Sequence, residues 1–246
     1  EDQGISVPES YEDFKAACVT LLDAGIVPIY EPISDGWHHV LAFPMSGQRY
    51  EEVNPGLADQ LNANETTFAE TDIMLDAVTQ LNELYQMGCF GENAMADTFA
   101  DTNAKLASGE YAMSMTVLSA PASIEEEYGE EYGVSADTFG FFPYPLADNM
   151  LAPAHPAGPS KFIYSGSPHI EEAKQYLAFL TETENLQYLL DNSPEFVSLS
   201  FSGVTPDWDA NQQEFFDTYP AKTMVYQDAV NYLNPQWMDM GKDMVA

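Results

Sequence analysis

Positive charge is almost missing from this chain: seven lysines and arginines stand against forty aspartates and glutamates, a formal charge of −33. A polyphosphate backbone would be repelled by that field, and no basic cluster exists to displace its counterions, which excludes nucleic acid as a partner. Anionic lipid surfaces are disfavoured on the same ground. Cysteine is scarce as well. Cys18 and Cys89 are the only two, too few for the framework that staples small secreted domains. Each falls within or just after an apolar helical pattern and reads as a small buried hydrophobe, with a disulfide between them left open. No apolar run approaches the roughly 18 residues of a membrane span, so no direct membrane insertion is expected of this segment. The chain opens on Glu1 and not on Met, and is expected to be a processed product.

Catalytic and metal signatures are equally thin. No nucleophile elbow, phosphate loop or Cys–His signature is found. With forty carboxylates, any pair chosen as a glycosidase acid and nucleophile is uninformative, because that mechanism demands a set separation across a cleft. His38 and His39 are adjacent instead of four apart, and His155 and His169 lie far off, so no zinc site is expected. Asp207-Trp208-Asp209-Ala210-Asn211 resembles the opening of a calcium loop, but Gln212 stands where the turn glycine belongs and Thr218 where the bidentate glutamate belongs. No cofactor is expected.

What the chain does have is core material: 45% hydrophobic and 13% aromatic residues over 246 positions, a globular composition of one to two domains. Ser10 and Asp13 mark a helix start, Tyr11, Phe14, Cys18, Leu21 and Leu22 form its apolar stripe, and Gly25 stops it. A strand is expected over 26–30. Thr67 and Glu70 open a second helix carrying Ile73, Ala77, Leu81 and Leu84, with Gly88 at its end. A third helix is expected over 98–107, a strand over 111–118, an acidic helix near 124–132, and further strands over 139–144 and 162–165. Ser167-Pro168 starts a helix with Ile170, Ala173, Leu177 and Leu180 facing inward. Thr181 and Glu184 cap another with Leu186, Leu189 and Leu190. Helices over 212–219 and 223–233 complete the pattern. Helices alternating with short apolar strands define an α/β class.

Four stretches in this order resemble the carbohydrate-binding branch of the extracellular solute-binding proteins, the family that includes maltose-binding protein. They are Val7-Pro8-Glu9-Ser10-Tyr11-Glu12-Asp13-Phe14 with Gly25-Ile26-Val27-Pro28-Ile29, then Ser108-Gly109-Glu110-Tyr111-Ala112-Met113, then Gly140-Phe141-Phe142-Pro143-Tyr144-Pro145, and last Ser167-Pro168-His169-Ile170-Glu171-Glu172-Ala173-Lys174. The resemblance implies a two-lobed, periplasmic-binding-protein-like fold that closes on a ligand by hinge motion. It also implies that this chain is largely the second lobe. Residues 1–137 would form the main lobe, 138–191 a return segment of the other, incomplete lobe, and 192–246 C-terminal helices returning to the main one.

By the same resemblance the protein is not an enzyme. The resemblance implies the extracellular, membrane-anchored lipoprotein component of an ABC importer, expected to capture a carbohydrate and pass it to permease subunits. A secreted glycan-active enzyme domain and a non-transport surface binding or sensory module are the alternatives. The family presents ligand contacts on the loop after the first strand, which here reads Asp35-Gly36-Trp37-His38. Trp37 would stack on a sugar face and Asp35 accept hydroxyl donors, with His38 beside them. Against this, Trp37 could pack in the core and Asp35 cap a turn. Asn234 and Trp237 sit where the last helices return to the cleft, and Trp237 could be a second ring or a core residue. Where relatives often carry Gly-x-Trp, this chain has Val117-Leu118-Ser119.

Overall fold

A computed structural model describes residues 3–36, 38, 54–148, 152–154, 161–193, 201–219 and 224–226. The chain begins with α1 (Tyr11–Asp23), whose start is fixed as its sequence requires: the Ser10 side chain accepts from the Asp13 N–H. Tyr11, Phe14, Ala17, Cys18 and Leu21 form its buried face. Gly25, with φ of +77°, turns the chain out of the helix. β1 (Val27–Tyr30) follows at once.

The Thr67/Glu70 box is present, but it closes a 3-10 turn over Phe68–Glu70, and α3 (Asp72–Gln86) begins after Thr71. Ahead of it lies the short α2 (Leu57–Asn62). On α3, Ile73, Met74, Ala77, Leu81 and Leu84 are buried. The expected helix at 98–107 divides into a 3-10 turn, Phe99–Asp101, and α4 (Thr102–Ala107). β2 (Tyr111–Ser114) is shorter than expected, and α5 (Ala120–Tyr132) carries the acidic run.

β1 and β2 pair in parallel, with Val27 opposite Tyr111 and Ile29 opposite Met113. One core gathers around them: Tyr11, Phe14 and Cys18 of α1, Ile29, Leu81 and Leu84 of α3, Cys89, Phe90 and Leu146. Cys18 and Cys89 are both free and buried there. The Cys18 thiol is pushed up by its hydrogen bond to Cys89 and by burial, which keeps it protonated and inert.

The strand expected over 139–144 is not one. Phe139 is extended, but the segment joins no ladder, and Pro143 and Pro145 lack the N–H a ladder would use. Its aromatics serve packing instead: Phe142 and Tyr144 set their rings 6.2 and 5.3 Å from that of Phe14. The segment over 162–165 is likewise irregular, with Phe162 89% and Tyr164 78% exposed. Both stretches have strand composition without a neighbouring strand among the described residues, and composition alone cannot supply one.

α6 (Ile170–Leu180) and α7 (Thr183–Asn192) follow, with Leu186 and Leu190 buried on α7 and no residue of α6 fully buried. β3 (Ala152–Ala154) pairs in parallel with β4 (Met224–Tyr226), where a helix was expected over 223–233; residues 227–233 lie outside the described residues. Between them, α8 (Ala210–Thr218) starts at Asp209, whose side chain accepts from the Gln212 N–H while Gln212 accepts from the Asp209 N–H. That reciprocal cap accounts for the acidic motif that resembles a calcium loop. α8 is tied back to the earlier chain: the Gln212 amide donates to the Leu118 carbonyl at 3.1 Å, and Phe215 meets Phe141 edge-on.

Candidate functional site

In a parallel sheet all strands end at the same edge, and the loops leaving that edge are where α/β folds place ligands. Here the edge is made by the chain after Tyr30 and the chain after Ser114, joined by the Ser114 hydroxyl donating to the Tyr30 carbonyl at 3.0 Å. Two loops leave it, one from Glu31 to His38 and one from Met115 to Ser119.

The first loop is anchored by its own backbone. Ile33–Asp35 forms a 3-10 turn closed by Gly36 in the left-handed region at φ +76°, a conformation a side chain would resist. The Ile33 N–H donates to Ala94 and Glu31, and the Ser34 N–H to the Asp97 carbonyl. Asp35 is exposed, and its Oδ2 accepts from the Phe99 N–H at 2.5 Å, so one carboxylate oxygen is already committed to the start of the 99–107 helical stretch. This is the turn-capping use weighed for Asp35 above, and it leaves the residue at the surface of the edge.

Close to Asp35 lies a pair that no sequence pattern joins. Glu31 and His38 are each 1% exposed. His38 Nδ1 lies 2.6 Å from Glu31 Oε1, and its Nε2 lies 2.6 Å from the Met115 carbonyl oxygen. A carbonyl only accepts, so Nε2 carries a proton; a carboxylate opposite Nδ1 calls for a second. With Glu31 ionised, only the doubly protonated ring serves both acceptors at once. Burial works against that charge, but the Glu31 charge and hydrogen bond and the Met115 carbonyl outweigh it, and the His38 pKa is raised. The Phe99 ring lies 5.6 Å from the imidazole. Glu31 Oε2 and the Tyr144 hydroxyl are both buried without a hydrogen-bond partner among the described residues. Burial and then the Glu31 charge push the Tyr144 hydroxyl well above its ordinary pKa.

Among the residues expected at the site, Asp35 and His38 are thus brought together at one strand edge, Asp35 outward and His38 inward with both ring nitrogens engaged inside the fold. Trp37, Asn234 and Trp237 lie outside the described residues. Sequence reasoning missed Glu31: a glutamate directly after an apolar strand reads as a solvated turn residue, and a spacing of seven joins two residues only along a helix, which Pro32 and Gly36 argue against here. On the second loop, Val117 is 62% exposed, and Ser119, which stands at the tryptophan position of the Gly-x-Trp pattern, is buried.

This backbone has the architecture of known solute receptors. RafE of Streptococcus pneumoniae in complex with raffinose is similar with a TM-score of 0.71 and 17% identity, over 99% of this chain and 63% of that one. A sugar transporter of Bacillus licheniformis in complex with stachyose gives 0.66 and 13%, over 99% and 63%. A binding protein of Bacillus subtilis in an open conformation gives 0.64 and 16%, over 99% and 61%. The chain therefore spans less than two thirds of the length of these proteins, and the likeness at such identity is one of fold. No curated protein matches it in sequence. Residues 2–212 match the family of bacterial extracellular solute-binding proteins, and the chain belongs to that family. Membership places it among extracellular binding proteins and not among enzymes.

Proposed function

We propose that the protein captures a neutral carbohydrate at the carboxyl edge of the β1–β2 pair and serves as the substrate-binding component of an ABC importer. The observation that carries this reading is the family match joined to the site's position: Asp35 stands exposed on the loop leaving β1. Raffinose and stachyose, bound by two proteins of similar fold, are uncharged oligosaccharides. A net charge of −33 suits such a solute and opposes an anion. Trp37 supplies a stacking ring, Asp35 accepts hydroxyl donors, and Asn234 and Trp237 complete the site from the C-terminal side. The permease subunits are the receiving partner, and a lipid anchor holds the full-length protein at the cell surface.

The expected result is reversible sugar binding without turnover. A stacked ring contributes about 1 kcal/mol beyond area burial, and a hydrogen bond to a charged group about 1.5–3 kcal/mol. Trp37→Ala and Asp35→Ala should each weaken binding roughly five- to a hundredfold. A glycan array followed by calorimetry on both variants tests this. Sugar binding that survives both substitutions unchanged misplaces the site; release of cleaved product overturns the receptor reading; binding of amino acids or peptides in place of sugars removes the carbohydrate assignment.

Residues 1–137 with 192–246 form the main lobe, and 138–191 return to a second lobe whose remainder lies in the length that the relatives have and this chain does not span. The hydrogen bond from Gln212 of α8 to the Leu118 carbonyl supports the first part of this division. The exposed Phe162, Tyr164, Tyr176, Phe179 and Tyr188 support the second, because so many large apolar side chains left in water within one segment suit a covering partner. This chain alone should self-associate, or exchange amide hydrogens fast over 161–193. A monomer on sizing chromatography with uniform protection there would show the segment to be complete as it stands.

A further inference from the structure

We propose that His38 is a positioning residue for this site: as an imidazolium held between the Glu31 carboxylate and the Met115 carbonyl, it clamps the 33–38 turn, with Asp35 on it, to the end of β2. The inference rests on the reading of Asp35 as a ligand contact, but the clamp itself stands on geometry alone. The two contacts are both 2.6 Å, they reach two different loops, and all three participants sit at the same strand edge. A neutral imidazole has one N–H and cannot donate to both acceptors. Losing the proton turns one contact into two facing lone pairs, so deprotonation releases one loop from the other.

The surroundings favour the charged state. Glu31 presents its carboxylate to Nδ1, Asp35 adds a second negative charge from the turn above, and the Met115 carbonyl faces Nε2 from the β2 loop. The Phe99 ring lies alongside, and the buried Tyr144 hydroxyl also feels the Glu31 charge. No cation competes with His38 for Glu31 among the described salt bridges. Three backbone hydrogen bonds depend on the turn staying put: Ser34 N–H to Asp97, Gly36 N–H to Ile33, and Phe99 N–H to Asp35. They report on the clamp without any ligand present.

The test is a pair of measurements on the whole chain. Nitrogen NMR of the imidazole should show both ring nitrogens protonated at neutral pH, with the ring titrating above the ordinary value of about 6.5. Hydrogen exchange at the Ser34, Gly36 and Phe99 amides, corrected for the intrinsic base-catalysed rate, should accelerate roughly ten- to a hundredfold in His38→Gln, the factor for losing one hydrogen bond to a charged group. The same acceleration should appear in the unsubstituted protein as pH rises through the ring's titration, while the β1 amides Val27 and Ile29 stay protected. A singly protonated ring at neutral pH, or equal protection in both proteins with no step in pH, overturns the proposal. If His38→Gln fails to fold, the pH profile of the unsubstituted protein decides alone. Neither readout involves a solute: an intact clamp with no sugar binding removes the carbohydrate reading only, and sugar binding with a flat profile removes the clamp only.

Discussion

Phe14→Ala should lower the unfolding free energy by about 3–5 kcal/mol, the cost of emptying a large aromatic site in a close-packed core. Phe14 is 2% exposed and lies in one cluster with Tyr11, Cys18, Ile29, Leu81 and Leu84. It also meets Phe142 and Tyr144, the latter edge-on at an interplanar angle of 74°. Those two rings belong to the irregular 139–145 stretch, so the loss falls on its attachment to α1 as well as on the core. Urea unfolding followed by circular dichroism measures it. A loss below about 1 kcal/mol would mean that the site collapses around the smaller side chain and that α1 is not held through this ring.

His38→Leu and Glu31→Leu should each cost about 3–5 kcal/mol, because removing one member of a buried ion pair strands the other without water. The double variant should cost less than either single one, since two apolar groups leave no orphaned charge. A double-mutant cycle in denaturant resolves the coupling, and additive losses would count against the pair. Its pH dependence has a definite sign. The folded ring holds its proton to higher pH than the unfolded chain does. The contribution is therefore complete below the unfolded value of about 6.5 and is lost as pH rises through the folded one. Stability that grows on going alkaline through that window would contradict the assignment.

Where the sequence was legible, the determinants were local. Ser10, Asp13 and Gly25 fix both ends of α1 through groups within a few residues of each other, and the buried faces of α1 and α3 follow the 3.6 period. The capping box at Thr67 shows the limit even of local signals: it forms, yet it closes a 3-10 turn, and the α-helix waits for Asp72. Strands were less legible because a strand is completed by its neighbour. Residues 139–144 and 162–165 have the right composition and no ladder, whereas Met224–Tyr226, which reads as helix, pairs with Ala152–Ala154. At the strand edge, Asp35 was expected from the family resemblance, and it is exposed there. Glu31 was not expected, since nothing in the chain announces that it and His38 meet across a turn while His38 also reaches a carbonyl 77 residues on.

The parallel pairing of β1 with β2 also governs how the chain must fold. The hydroxyl of Ser114 reaches Tyr30 across 84 residues, and every ladder bond in this pair spans a comparable loop. Closing so long a loop costs entropy before any contact repays it, so the sheet forms late, after the helices between its strands have appeared locally. During that interval the apolar faces of α1 and α3 have no strand to cover them. A chain released outside a cell, far from cytoplasmic chaperones, would meet other half-folded copies in that state. Its surplus of carboxylates acts there before any native structure exists, as mutual repulsion that keeps the waiting chains apart.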